Sequence, residues 1–451
     1  MSAPRGQGEV CRSRAKRTPA GIKCRMSAAP QPSATAGDAP RARPMMSVAE
    51  ALERVLASAH PIARTEEIDT FYAGGRVLAA ALTARLDVPA ADNSQMDGYA
   101  VRAADLEGAS ADQPVTLAVS QRIPAGHVAT TLVTGSAARI FTGALIPEGA
   151  DAVVMQEQAA VDQAASPVAF SAQPEAGEWI RRRGEDIENG QIILEAGTRL
   201  GPQHLGLAAS SGAARVPVMR RPRVAIFSTG DELAMPGEVA IEDLKPGALY
   251  NSNRYTMRAL IEALGCEVVD LGIVPDTLAA TRAALVRAAA DSDCIVTSGG
   301  VSVGEEDHIR PAVAAEGRID MWQLAIKPGK PFAFGEVGDT LFVGLPGNPV
   351  SGFVTFLVLV RPLLLRLQGI RDVTPTAFTM RADFEWPRPD QRQEYLRTRI
   401  NASGGLDVFV HQGSAVLTST VWADGLVENP PGRRIAKGDP VRFIPFSNLI
   451  G

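Results

Sequence analysis

The chain has little cysteine, few aromatic residues and no long uninterrupted apolar run, and each shortage excludes something. Four cysteines in 451 residues offer no zinc-ligand spacing and too little material for a disulfide framework. Cys11 and Cys24 lie near the N-terminus, and Cys266 and Cys294 open apolar runs that read as strands. A reduced, cytoplasmic setting is expected. Aromatics make up 5% of the chain, while Gly and Ala are plentiful, which suits close helix-on-sheet packing. The longest apolar run, VSGFVTFLVLV at 350–360, stops at Arg361 and Pro362, short of the ~20 residues a bilayer requires. It reads as a buried helix, and no membrane span is expected. Neither G-x-G-x-x-G nor G-x-x-x-x-G-K-[ST] occurs, so neither a dinucleotide fold nor a P-loop is supported.

What is present describes a multidomain globular protein. A chain of 451 residues exceeds one hydrophobic core, and ~3 domains are expected. The net charge of −5 is uneven: residues 1–44 hold nine Arg or Lys against two acids, about +7, leaving about −12 for the rest. An acidic body argues against a nucleic-acid partner, which needs a positive field. The first 44 residues, rich in Arg, Ala, Ser and Pro, have a composition shared by disordered tails and organelle transit segments, and Met26, Met45 and Met46 are alternative starts. A disordered tail over 1–44 is the expectation.

From Ser47 the text becomes helical. SVAEALERVLASAH places Val48, Leu52, Val55 and Leu56 on one face, with Ser47 as N-cap and Glu50 three residues on. Residues 45–85 and 178–221 read as an elongated helical and linker part, with a second helix near 200–212. Over 86–177, short runs such as VTLAVS, RIFTGAL and DAVVMQEQ, punctuated by Gly, Pro and Asp, indicate a small β domain. Over 222–370, near-continuous apolar runs (RVAIFS, CEVVDLG, CIVTS, TLFVGLP) alternate with helical stretches. Strands without polar alternation are buried on both faces, giving a doubly wound, parallel-type α/β sheet. From 371 to 451, runs such as EYLRTRI, DVFVHQ, AVLTSTVW and DPVRFIPF indicate a C-terminal β domain.

Ligands of open α/β sheets bind beyond the carboxyl ends of the strands, and three predicted strand ends carry unusual residues. RVAIFSTGDEL leaves Thr229, Gly230, Asp231 and Glu232 at the rim. CIVTSGGVSVGEEDH leaves Ser298, Gly299, Gly300 and Ser302, then Glu305, Glu306 and Asp307. LFVGLPGNPVSG sets Gly347, Asn348 and Ser351 at a helix start. Glycines let main-chain N–H groups approach an anion, and a helix N-terminus adds a favourable dipole. Lys327 and Lys330 of AIKPGKP supply positive charge. Asp231, Glu232, Asp276 and Asp307 fall at strand ends or the loops after them. Beside a phosphate they repel unless a divalent cation such as Mg²⁺ lies between, and the alternative is a solvated acidic rim. DNSQMDGYAVR and RRRGEDI are explained equally well by Asx turns and a salt-bridged surface.

DNSQMDGYAVR, RIFTGALIPEGADAVVMQE, RRRGEDI, FSTGDEL, LYNSNRY, TSGGVSVGEEDH, AIKPGKPFAFG and GLPGNPVS, in this order, resemble the molybdopterin molybdenumtransferase family, the MoeA proteins and the gephyrin E domain. The resemblance implies a four-part subunit and a homodimer whose cleft lies between the α/β part of one copy and the β part of the other. It also implies a reaction on adenylylated molybdopterin and molybdate with Mg²⁺, releasing AMP, with a molybdopterin adenylyltransferase upstream and molybdoenzymes downstream. Asp97 and Thr142 match family positions important for activity. Glu232, Asp276 and Asp307 match acidic positions suited to Mg²⁺ binding and water activation. Ser298, Gly299, Gly300 and Ser302 match the phosphate cradle, and Pro346, Gly347, Asn348, Pro349 and Ser351 the helix-start turn. Lys327 and Lys330 match phosphate or oxyanion contacts, and Arg397 and Ser414 match positions that hold molybdate. Gln95 and Phe141 depart from the family's frequent residues beside two of these positions.

Two rivals remain. A molybdopterin adenylyltransferase resembles the 222–370 part alone and lacks MDGYAVR and FTGA. A non-enzymatic scaffold of the gephyrin kind is weakened by the retention of every acidic cleft position. A tail with the composition of 1–44 buries no core, so a chain starting at Met45 is expected to keep its melting temperature and its activity. Lost activity in that truncation would give the tail a function.

Overall fold

A computed structural model describes residues 45–161, 167–301 and 308–450, and residues 45–451 form one compact unit. Ser302 and Asp307 lie outside the described residues, as does the tail.

The centre is a six-stranded mixed sheet of β1 (Arg223–Thr229), β2 (Glu267–Val274), β3 (Cys294–Ser298), β4 (Gly317–Gln323), β5 (Pro331–Val337) and β6 (Thr340–Leu345), in spatial order β2-β1-β3-β6-β5-β4. The first four strands in that order are parallel. β5 and β4 extend the sheet antiparallel from β6. The apolar runs are the parallel strands, and both faces are buried: the helices Ser252–Ala263 and Pro349–Leu367 cover one face, and Leu278–Asp291 and Ile309–Glu316 the other. The parallel-type expectation therefore holds for four strands, and a hairpin extends it. That hairpin forms because Trp322 on β4 stacks against Phe332 and Phe334 on β5, ring centroids 5.7 and 5.6 Å apart, a cross-strand aromatic contact.

The first helix, Val48–Ala57, forms as its signals dictate: Ser47 Oγ accepts from the Glu50 N–H at 3.1 Å. It does not belong to the linker part, however. Val48, Ala51 and Val55 are buried in the same core as Leu363 and Leu364. The apolar stripe covers the α/β sheet's outer helix layer, and sequence adjacency to the linker did not decide its packing.

The apolar run at 350–360 continues further than its sequence suggests. One helix spans Pro349–Leu367, with a π-helical stretch over Phe356–Val360 before Arg361 and Pro362. Proline lacks the N–H that an α-helical ladder would use, and it sits here at the start of a new α segment. Length and composition alone would allow this helix to cross a membrane, but 78% of it is buried inside the fold, as a core helix is.

The small β part is a six-stranded sheet containing Gly98–Val101, Ser136–Ile140 and Ala152–Met155. The linker part is mostly two-stranded pairs, such as Thr65–Asp69 with Arg215–Met219, and one helix, Pro202–Ser210. In the C-terminal part, Gln393–Ile400 and Pro440–Pro445 are strands as expected. AVLTSTVW is not: Thr418–Trp422 is a helical turn. Ser419 and Thr420 hydroxyls donate to the carbonyls of Val416 and Leu417 at 2.6 and 2.7 Å, and such local bonds compete with a ladder.

One pairing joins the two large parts. Ile326–Lys327, leaving the α/β sheet, lies parallel to Gln393 and Glu394 as the edge of the C-terminal sheet.

Candidate functional site

The parallel register sets the rim. Ser228 pairs with Ser298, and Ser298 with Leu345, so the next residues, Thr229, Gly299 and Pro346, stand side by side at the carboxyl ends of three strands. All three line a cleft of about 720 Å³. From the sequence-predicted set the cleft also gathers Glu232, Ser298, Lys327, Lys330, Gly347, Asn348, Pro349, Ser351 and Ser414. Gly230 explains the form of the TGDEL turn. Its φ is +138°, and a Cβ there would fall within 2.9 Å of the Glu232 carboxyl group, so only glycine lets that side chain fold back.

Two helix N-termini end at the cleft. Asn251, Ser252 and Asn253 begin Ser252–Ala263, and Asn348 and Pro349 begin Pro349–Leu367. Unpaired first-turn N–H groups and the helix dipole favour an anion there. At the second of these helices, Val350 N–H donates to the Ser414 carbonyl at 2.9 Å, tying the C-terminal part to the helix start. Asn253 Nδ2 donates to the Gly347 carbonyl at 2.7 Å, which joins the two helix starts.

The cations are held from behind. Lys327 Nζ lies 3.2 Å from Glu394 Oε1 and 3.5 Å from Asp390 Oδ2. Glu394 is 1% exposed and also accepts from Trp386 Nε1 at 2.8 Å and Asn429 Nδ2 at 3.1 Å. Arg392 grips Asp390 with two bonds, Nε to Oδ1 at 2.9 Å and Nη2 to Oδ2 at 2.8 Å. Those bonds hold the Asp390 carboxyl far below the usual range and raise Arg392. Lys330 is exposed and forms no ion pair among the described residues. Among the described lining residues, Glu232 is the single carboxylate.

Several expected residues lie elsewhere. Asp276 follows the edge strand β2 at the same end of the sheet but does not line the cleft. Gly300, at φ +63°, is also off the wall. Arg397, expected to hold molybdate, does not reach the cleft. It is 1% exposed, and its guanidinium donates to the carbonyls of Tyr395 and Gly413 and to Ser419 Oγ, at 3.0, 3.3 and 3.2 Å. Burial lowers its pKa to about 10. Its main chain exchanges two bonds with the Gln412 side chain. Arg397 thus shapes the 412–414 loop, whose residues do line the cleft, because a strand interior has no other route for its long side chain. Asn251, Ser252, Asn253, Arg392, Gln412 and Gly413 were missed as lining residues. The signal available for the first three was an N-cap asparagine before an amphipathic helix.

Asp97 and Thr142 meet each other, away from the cleft of their own chain. Thr142 N–H and hydroxyl both donate to Asp97 Oδ1, at 2.7 and 2.8 Å. The strands bearing them pair Gly98 with Ile140. Arg139 locks that pairing: Nη1 donates to the Gly98 carbonyl at 3.0 Å, and the guanidinium lies 4.7 and 5.1 Å from the ring centroids of Phe141 and Tyr99.

The bonds from Thr142, its N–H foremost and then its hydroxyl, hold the Asp97 carboxyl below the ordinary range. A carboxylate depressed in this way adds stability above its unfolded pKa, which is lost as pH falls through the folded value. Thr142→Val removes the hydroxyl donor and keeps the N–H. The Asp97 midpoint is expected to rise part of the way toward ~3.9 in a carboxyl NMR titration, and an unmoved midpoint would show that the hydroxyl contributes nothing.

Comparison with known proteins matches the chain in three consecutive blocks. Residues 46–212 match the MoeA N-terminal region (domain I and II), 225–366 a probable molybdopterin binding domain, and 379–446 the MoeA C-terminal region (domain IV). A molybdopterin molybdenumtransferase from Haemophilus influenzae is 39% identical over 414 residues, 90% of this chain and 100% of that one. Molybdopterin molybdenumtransferase 2 from Mycobacterium tuberculosis is 41% identical over 327 residues, 71% of this chain and 79% of that one. The crystal structure of a molybdopterin biosynthesis moeA protein from Pyrococcus horikoshii superposes with a TM-score of 0.79 at 28% identity, covering 89% of this chain and 100% of the other. With all three blocks matched in order and a 39%-identical relative covered end to end, the chain belongs to the molybdopterin molybdenumtransferase (MoeA) family of molybdenum cofactor biosynthesis enzymes.

Proposed function

We propose that this chain inserts molybdate into adenylylated molybdopterin, cleaving the pyrophosphate link and releasing AMP. The observation that carries the reading is the convergence of two helix N-termini with Lys327, Lys330 and Arg392 on one strand-end cleft. Such a cleft suits a ligand bearing several phosphate charges. The two dithiolene sulfurs bind molybdenum, and one molybdate oxo group leaves as water with their protons. A second water supplies an oxygen to one phosphorus and releases a proton, the bridging P–O bond breaks, and AMP leaves with the bridging oxygen. The lysines and the helix N–H groups face the charge that grows on the phosphoryl oxygens, where preorganised donors lower the barrier. The match over 46–212 weighs against the adenylyltransferase reading, since that part is absent from such enzymes.

Mg²⁺ fits this site with help from the substrate. No group of three or more His, Cys, Asp or Glu side chains able to hold a metal exists among the described residues, and Glu232 is the one described carboxylate on the wall. Mg²⁺ commonly uses one or two carboxylates, phosphate oxygens and water, so Glu232 would hold it together with the pyrophosphate. Asp307 and Asp276 are further proposed contributors. When bound, the ion supplies charge neutralisation at the cleaving phosphates. AMP release from adenylylated molybdopterin, measured with and without molybdate and Mg²⁺, tests the reaction. Glu232→Ala is expected to lower the rate ~100-fold or more with an unchanged melting temperature. Near-normal turnover would remove Glu232 from the site.

The proposed assembly is a homodimer with a composite site, in a cytoplasmic setting. Thr142 is exposed, Asp97 is half-buried, and both are absent from the cleft lining of their own chain, which supports delivery to a second copy. An inactive Asp97→Ala chain mixed with an inactive Glu232→Ala chain is expected to regain activity, because half of the clefts in mixed dimers combine intact halves. No recovery after demonstrated subunit exchange would confine each site to one chain.

A further inference from the structure

Asn251 carries an unmet hydrogen-bonding capacity at the cleft. It is 1% exposed and lines the wall beside Ser252 and Asn253. Its main-chain N–H donates to the Ala234 carbonyl at 2.9 Å, which fixes the backbone. Its side-chain Oδ1 accepts from the Arg254 N–H at 3.1 Å and so caps the 12-residue helix Ser252–Ala263. That bond also settles the orientation of the amide, because the oxygen must face the Arg254 N–H and the nitrogen must point away from it. Nδ2 is buried and has no acceptor among the described residues. Buried donors in folded proteins are satisfied as a rule, and an unmet one costs stability unless something else accepts from it.

The surroundings identify that acceptor. The N-terminus of Ser252–Ala263 opens onto the same cleft as Lys327, Lys330 and the start of Pro349–Leu367. Each of these favours a negatively charged oxygen. We propose that Asn251 is a binding residue with two functions split between its amide atoms: Oδ1 builds the helix start, and Nδ2 donates to an oxyanion oxygen of the bound ligand. This rests on the proposed reaction for the identity of the ligand, since phosphate and molybdate both present such oxygens in that reaction. It adds a neutral, geometrically fixed donor to a wall whose charged groups are long and adaptable. A fixed donor discriminates position, which charge alone does not.

The dual use can be separated by substitution. Asp and Ser cap helices about as well as Asn, but neither keeps the Nδ2 donor. Asn251→Asp tests donation with the shape preserved, and Asn251→Ser does so without adding negative charge. Asn251→Ala removes the cap as well. Binding of inorganic pyrophosphate and, separately, of molybdate to the full chain would be measured by calorimetry, alongside melting temperatures. Both capping variants are expected to melt near the unaltered protein and to bind at least one of the two anions about tenfold more weakly. The anion affected identifies which oxygen Nδ2 meets. The alanine variant is expected to lose affinity to the same extent and to melt lower. Unchanged affinity for both anions in the serine variant overturns the proposal, and so does a loss confined to the aspartate variant, which charge repulsion explains. Absence of AMP release by the unaltered protein, with Asn251-dependent anion binding intact, would overturn the proposed reaction and leave this inference standing.

Discussion

Two residues of parallel β-pairing, Ile326–Lys327 against Gln393–Glu394, place the cleft's principal cation and attach the C-terminal part to the α/β sheet at the same point. Register makes Lys327 the neighbour of Glu394, and their side chains follow the backbone into an ion pair. A carboxylate as enclosed as Glu394 is costly unless its oxygens are fully occupied. Trp386, Asn429 and Lys327 occupy them. Lys327 is therefore a structural counter-ion as well as a wall of the cleft. The bond from Val350 N–H to the Ser414 carbonyl repeats the join on the opposite wall. Between these two ties, the loop braced by Arg397 closes the cleft's C-terminal side.

This arrangement attracts an anion in an acidic protein without a strongly positive patch. Lys327 and Arg392 face the cleft while Glu394 and Asp390 stand behind them, so the pairs nearly cancel at a distance. At contact range the order of charges matters more than their sum, since an oxyanion entering the cleft meets donors first. The helix N-termini add partial positive charge at the rim. Selection for a ligand of several closely spaced oxygens follows, because only such a ligand uses fixed N–H groups, ammonium and guanidinium together. A strongly basic surface would bind polyanions of any shape.

The parts of this layout legible in the sequence were those set by local physics. Four near-continuous apolar runs became the four parallel strands because a strand covered on both faces favours apolar side chains. SGG, TGDEL and LPGNP marked the rim because turns at strand ends need glycine or proline wherever they occur. Ser47 announced its helix. What escaped was set by pairing across long sequence separations. AIKPGKP showed two lysines but not that Ile326 and Lys327 would pair with a strand that starts 66 residues after Lys327, at Gln393. The acids share a rim pattern in the sequence, but Asp276 lies just past an edge strand, and among the described residues only Glu232 lines the cleft. Arg397 came from the family resemblance alone, and its three local acceptors are set by pairing that no motif displays. AVLTSTVW mimicked a strand over eight residues because hydroxyl back-bonding to the chain leaves no trace in an alternation pattern.

The Asp97–Thr142 pair shows what one chain's geometry implies about its chemistry. Both donors of Thr142 converge on a single carboxylate oxygen, and Arg139 fixes the strands on which they stand. A carboxylate stabilised in its ionised form is a weak proton acceptor near neutral pH, since efficient general bases have pKa values close to the working pH. It is a strong partner for a cation or for a donor that must be oriented. Oδ1 is committed to Thr142, which leaves Oδ2 as the second acceptor of a half-buried carboxylate. Asp97 is therefore built to present a fixed negative point rather than to take a proton. A fixed negative point has no use beside a polyphosphate unless a cation or a hydroxyl comes between them. In the proposed composite site, Asp97 would thus repeat from a second domain the demand for a cation that Glu232 makes at the cleft.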